Sequence, residues 1–144
     1  MAARTPRFIA GGNINPASFV KIDTTVGNNF FVVQATADTD KIIGIAQQGT
    51  YQPPGVTGSD GLAAHSGQPV QVYGLGEETL LQIAGTVTQG DLLKTNASGF
   101  GLSASITVTG TAVKWVGAIA LESGVSGDWI RVLVLPQALP GTTV

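Results

Sequence analysis

The run Pro69–Ile83, PVQVYGLGEETLLQI, decides how this chain is read. Two short apolar runs, Pro69–Tyr73 and Thr79–Ile83, flank Gly74-Leu75-Gly76-Glu77, which reads as the turn of a hairpin. The same grammar extends in both directions. Phe19–Asp23 (FVKID) alternates Val20 and Ile22 with Lys21 and Asp23, the period of two of a half-buried strand. Gly27-Asn28-Asn29 makes a turn, and Phe30–Ala35 (FFVVQA) and Lys41–Ala46 (KIIGIA) follow. Downstream, Asp91–Thr95 leads into the turn residues Asn96-Ala97-Ser98-Gly99, and Ile106–Thr109, Ala112–Leu121 and Trp129–Leu135 (WIRVLVL) complete the strands. Pro136 and Pro140 are expected to end the pairing, because proline donates no hydrogen bond to a ladder. With 20 glycines in 144 residues, long helices are not expected.

The fold class is therefore all-β: a single small β-barrel or sandwich-like domain with an extended N-terminal arm and a long Gly/Pro-rich loop. Residues 1–12 are the arm, 13–136 the β-rich domain and 137–144 a C-terminal tail. Gln47–Gln68 is the loop. A weak internal echo links Val87-Thr88-Gln89-Gly90-Asp91-Leu92-Leu93 with Val125-Ser126-Gly127-Asp128-Trp129-Ile130, where Gly-Asp closes a turn before an apolar strand.

Only 11% of the residues are charged and 43% are hydrophobic, against about 25% charged in an ordinary soluble domain. No stretch of about 18 apolar residues is present, so no membrane-spanning helix is expected, and the N-terminus lacks the apolar core of a secretory signal. The chain reads as soluble and made in a cytoplasm. One apolar core in so small a domain cannot absorb the surplus, so part of the exterior is expected to be covered by other protein. The formal charge of −2 and basic residues scattered singly from Arg4 to Arg131 argue against direct nucleic-acid binding.

Catalytic and cofactor chemistry finds few residues. Cysteine is absent, and His65 is the single histidine, set in a Gly/Ala/Ser loop where it reads as a surface residue. No Gly-x-Ser-x-Gly elbow occurs. Gly74-Leu75-Gly76 begins like a dinucleotide loop, but Thr79 and the expected strand break the pattern. Asp38-Thr39-Asp40 begins like a calcium loop, but Ile43 stands where the sharp turn needs glycine. Gly85–Leu93 carries the Val-x-x-Gly-Asp-x-Leu element of lipoyl and biotinyl carriers, yet neither Lys94 nor Lys114 sits in the carrier's hairpin-tip setting. No enzyme activity, metal or cofactor is expected. Trp115 and Trp129 lie in apolar strands and read as core or interface anchors.

Several segments, in order, resemble the capsid cement (decoration, head-stabilising) proteins of tailed bacteriophages. They are Gly12-Asn13-Ile14-Asn15-Pro16 with Phe19-Val20-Lys21, Val32–Thr36 with Ile43-Gly44-Ile45, Gly67–Leu93, and Trp115–Pro136 (WVGAIALESGVSGDWIRVLVLP). The resemblance implies a non-enzymatic virion protein on the outer surface of the expanded head. It would bridge adjacent major capsid subunits as a homo-oligomer, with a trimer favoured, after synthesis in the bacterial host cytoplasm. The residues expected to make capsid or oligomer contacts are Arg4, Arg7 and Phe8 in the arm and Tyr51, Pro53 and Pro54 in the loop. The alternative is a virion surface β-module that binds a receptor or glycan through Tyr51 or Tyr73.

Overall fold

In a computed structural model, described over residues 8–25, 27–49, 61–104 and 113–139, every regular element is a β-strand. The strands are β1 (Phe8–Ala10), β2 (Phe19–Ile22), β3 (Phe31–Gln34), β4 (Ile42–Ala46), β5 (Pro69–Val70), β6 (Val72–Tyr73), β7 (Glu78–Gln82), β8 (Leu92–Thr95), β9 (Gly101–Ser103), β10 (Lys114–Ala120) and β11 (Trp129–Leu139). They form two sheets, consecutive in sequence, in a sandwich-like arrangement and not a single closed barrel. The first has the order β5-β1-β3-β2-β4-β6 and the second β7-β11-β10-β8-β9.

Both sheets curl. Opposite edges of the first, β5 and β6, are separated in the chain by Gln71 alone. In the second, Ile83 bridges Gly101 and so joins the end of β7 to the start of β9. The strand expected over Pro69–Tyr73 thus divides its pairing, with Val70 opposite Phe8 and Val72 opposite Ala46.

The curl creates two apolar clusters. Phe19, Ile42 and Ile45 of the first sheet pack with Leu81, Leu93, Ala118, Ile130, Val132 and Val134 of the second. The other face of the first sheet holds Ala10, Val20, Val32, Ala46, Val70 and Val72, with Ile14, Ala63 and Ala64 packed among them. Alternation along β2 and β4 divides neighbours between clusters: Phe19 from Val20, Ile42 from Ile43, Ile45 from Ala46. The first sheet is therefore buried on both faces. This corrects the one-core premise: much of the apolar surplus is absorbed inside the chain, with Ala and Val making up most of the second cluster.

Two glycines are fixed by close approach. A Cβ on Gly44 would lie against the Tyr73 carbonyl of β6, and one on Gly117 would lie against the Phe19 ring. Each permits a contact between elements that a methyl group would hold apart.

One turn recurs. In His65–Gln68, Gly74–Glu77, Thr88–Asp91 and Val125–Asp128, the third residue is a positive-φ glycine. The fourth residue's side chain accepts the first residue's N–H at 2.8–2.9 Å, and its own N–H bonds back to the first carbonyl. A φ near +90° excludes most side chains, hence glycine. Gln, Glu and Asp at the fourth position all supply the acceptor, so the echo expected at two sites is present at four. Each turn delivers the chain into the strand that begins at the next residue: β5, β7, β8 or β11.

Three expectations are corrected. Gly74–Glu77 is not a hairpin turn, since β6 pairs with β4 and β7 with β11; it carries the chain from one sheet to the other. Pro136 does not end β11, which runs to Leu139. The register of β10 against β11 shifts there: Val116 faces Gln137 and Ala118 faces Val134. Leu135 and Pro136 thus share the place opposite Gly117, and a bulge spares proline a ladder bond. Phe8–Ala10, expected in the arm, is a strand between β5 and β3; Ala10 is fully buried and Phe8 packs beside it. The short β9 was not expected, and the strand expected at Ile106–Thr109 lies outside the described residues.

Candidate interaction surfaces

Of the residues expected to make contacts, Arg4, Arg7, Tyr51, Pro53 and Pro54 lie outside the described residues. Phe8 is half-buried against the second cluster, so its ring is engaged with the chain's own core. Both flanks of the long loop are anchored. The Gln47 side-chain amide donates to the carbonyls of Gly49 and Ala63, each at 3.2 Å, while its oxygen accepts the Gln71 N–H at 3.1 Å. Ala63 and Ala64 are fully buried, and Ala64 bridges Ile14. The loop therefore leaves and re-enters at fixed points on the first sheet.

Tyr73, the second candidate for a glycan platform, packs against the inter-sheet core, as does Trp115. Trp129 differs: it is 39% exposed at the start of β11. Of the two tryptophans expected to be core or interface anchors, Trp115 is thus a core residue and Trp129 is partly open to solvent.

Charge is concentrated where the sheets meet. Asp38 faces Lys114 at 3.0 Å and Lys94 at 3.7 Å, and its carbonyl accepts the Trp115 N–H at 2.7 Å. Asp40 pairs with Lys21 at 3.0 Å. Burial pushes the Asp40 carboxyl up, but the N–H groups of Thr36 and Ala37 and the Lys21 ammonium outweigh it and hold the group below its ordinary value. The two aspartates that resembled the start of a calcium loop are thus occupied by lysines and backbone. Residues 35–41 connect β3 to β4, and through Asp38 with Lys94 and Lys114 they tie the first sheet to the second.

Two exposed apolar sites were missed in the sequence. At the β2–β3 connection, Phe30 is 73% exposed with φ +65°, and Ile22 ends β2 nearby. A bulky residue held in the left-handed region costs on the order of 1 kcal/mol or more. Phe30, expected as the first residue of a strand, instead precedes β3 in a left-handed conformation that composition does not reveal. The other site is the outward face of the second sheet, where Leu121 and Trp129 are exposed. Beside it, Gln48, Glu78, Thr79, Leu80 and Arg131 line a cleft of about 300 Å³. Gln48 donates to the Thr79 hydroxyl at 2.9 Å, closing one side of that cleft across the two sheets.

No protein-family model matches the chain, and no curated protein matches it. Among solved structures, the chain is similar to the head fiber gp8.5 N base in bacteriophage phi29, with a TM-score of 0.55 and 14% sequence identity. The likeness covers 96% of this chain and 96% of that one. At this identity the two share a fold.

Proposed function

We propose that this chain is a non-enzymatic structural protein of a bacteriophage virion, attached to the outer surface of the head. In finer terms, it is a decoration protein that binds the expanded shell, bridges adjacent major capsid subunits and resists internal DNA pressure. The observation that carries this reading is a fold likeness, end to end, to the base of a phage head fiber. The ordered segments that resemble phage cement proteins agree with it, as does a composition only 11% charged.

The physical basis is linkage. A protein that binds the expanded lattice and not its precursor stabilises that lattice by mass action. Apolar burial supplies about 25 cal/mol per Å² before ordering costs. A homo-oligomer multiplies weak contacts, because later sites bind at high effective concentration. The contacts are assigned to residues 1–7 with Arg4 and Arg7, to the loop with Tyr51, Pro53 and Pro54, and to the exposed Phe30.

Co-sedimentation of the purified protein with undecorated expanded heads tests the reading, together with the heat tolerance of those heads. Saturable binding and a raised disruption temperature are expected. Deleting residues 1–7 leaves β1 in place and is expected to weaken binding. Deleting 1–12 also removes a sheet strand, so it is the wrong truncation for this question. Absence of binding by the intact chain refutes the function; unchanged binding after the 1–7 deletion refutes the role of the arm.

A further inference from the structure

The outward face of the second sheet carries a continuous apolar band. Leu92 of β8 lies opposite Ile119 of β10, Ile119 opposite Leu133 of β11, and Leu133 opposite Glu78 of β7. In the next row the Leu121 N–H bonds the Arg131 carbonyl, and Arg131 lies opposite Leu80. Trp129 follows two residues along β11. Residues that alternate with these, including Leu81, Leu93, Ala118, Ala120, Ile130 and Val132, are buried in the inter-sheet core, so the band faces away from it.

Glu78 and Arg131 are exposed charges set into this band, on adjacent strands and lining one cleft, while the exposed Glu122 carboxylate beside Leu121 is engaged by the Arg131 N–H at 3.1 Å. Among the described residues, neither the Glu78 carboxylate nor the Arg131 guanidinium has an ion-pair or hydrogen-bond partner. The nearby Lys94 is already paired with Asp38. A surface carrying one acid and one base beside an apolar centre is complementary to itself. A two-fold rotation brings the base of each copy to the acid of the other.

We propose that this face docks on the same face of a second copy of the chain, Arg131 of each against Glu78 of the other, with Leu80 and Leu133 at the centre and Ile119 flanking them. This gives a surface to the self-association within the proposed function. It specifies pairs, where the resemblance to cement proteins implied trimers.

Sedimentation equilibrium of the free, full-length protein tests it, using Glu78→Arg, Arg131→Glu and the double exchange. Both positions are exposed, so folding is expected to persist and is checked by thermal unfolding. The unaltered chain is expected to form pairs. Each single exchange sets like charges opposite one another and should raise the dissociation constant ~10-fold or more. The double exchange should restore pairing, and an equimolar mixture of the two single variants should form mixed pairs. A chain that stays monomeric, a three-copy species, or single exchanges without effect would each overturn the proposal. Head binding by the Arg131→Glu variant is measured separately. Loss of pairing with retained head binding separates this surface from the capsid-binding reading.

Discussion

Gly117→Ala is the most direct test of how the two sheets are joined. Gly117 lies in β10 at the register shift, and its missing Cβ would sit hard against the Phe19 Cε1, 2.8 Å from the Phe19 Cδ1 and 2.9 Å from the Ile42 Cγ2. Ordinary carbon contacts are about 3.5–4.0 Å, so the Phe19 ring would have to retreat by about 1 Å. It has little room, being fully buried between the sheets. Overpacking of this kind costs about 1–3 kcal/mol. Removing glycine flexibility from the unfolded chain returns about 0.4–1 kcal/mol. A net loss of about 1–2 kcal/mol is expected, lowering the Tm by roughly 3–8 °C for a domain of this size. Denaturant unfolding with and without Phe19→Leu makes the test specific. The smaller, more flexible side chain leaves space for the alanine methyl, so the double variant should be more stable than the summed losses imply, by about 1 kcal/mol. Gly117→Ala at full stability, or strictly additive losses, would refute the close approach of β10 to β2.

Two further perturbations follow from the turns and the inter-sheet charges. Asp91→Ala and Asp128→Ala each remove the acceptor of a turn N–H (Thr88 or Val125), and each is expected to cost about 0.5–1.5 kcal/mol in urea unfolding. A loss at one site only would mean the two turns are not equivalent. Asp40 is held below its ordinary value when folded, so its contribution is complete above about pH 4–5 and is lost as the pH falls through the folded value. Asp40→Asn should therefore flatten the acid limb of the stability profile below about pH 5; an unchanged acid limb would contradict the depressed carboxyl.

The all-β class and most strand positions were legible because they depend on near neighbours in sequence. Val20 and Ile22 alternating with Lys21 and Asp23 announce a strand whatever it pairs with. Gly90-Asp91 and Gly127-Asp128 announce turns because glycine alone accepts that φ without strain. One histidine and no cysteine leave few combinations for histidine or thiol chemistry. Partnership between strands was not legible. Nothing local distinguishes Gly74–Glu77 as a passage between sheets from a hairpin turn, because the turn chemistry is the same and the difference lies in β4 and β11, which pair with its flanking strands.

What the sequence determined by itself is a strand-built chain with glycine turns and little charge. These are properties of composition and of a period of two. Tertiary structure decided where the apolar surplus goes. It curled the first sheet until both faces were buried, drew Phe8–Ala10 out of the expected arm into the sheet, and left Phe30 and the Trp129 face outward. The physical reason is that burial depends on contacts between residues distant in the chain. A leucine on a strand carries no local mark of whether its face meets another sheet or the solvent.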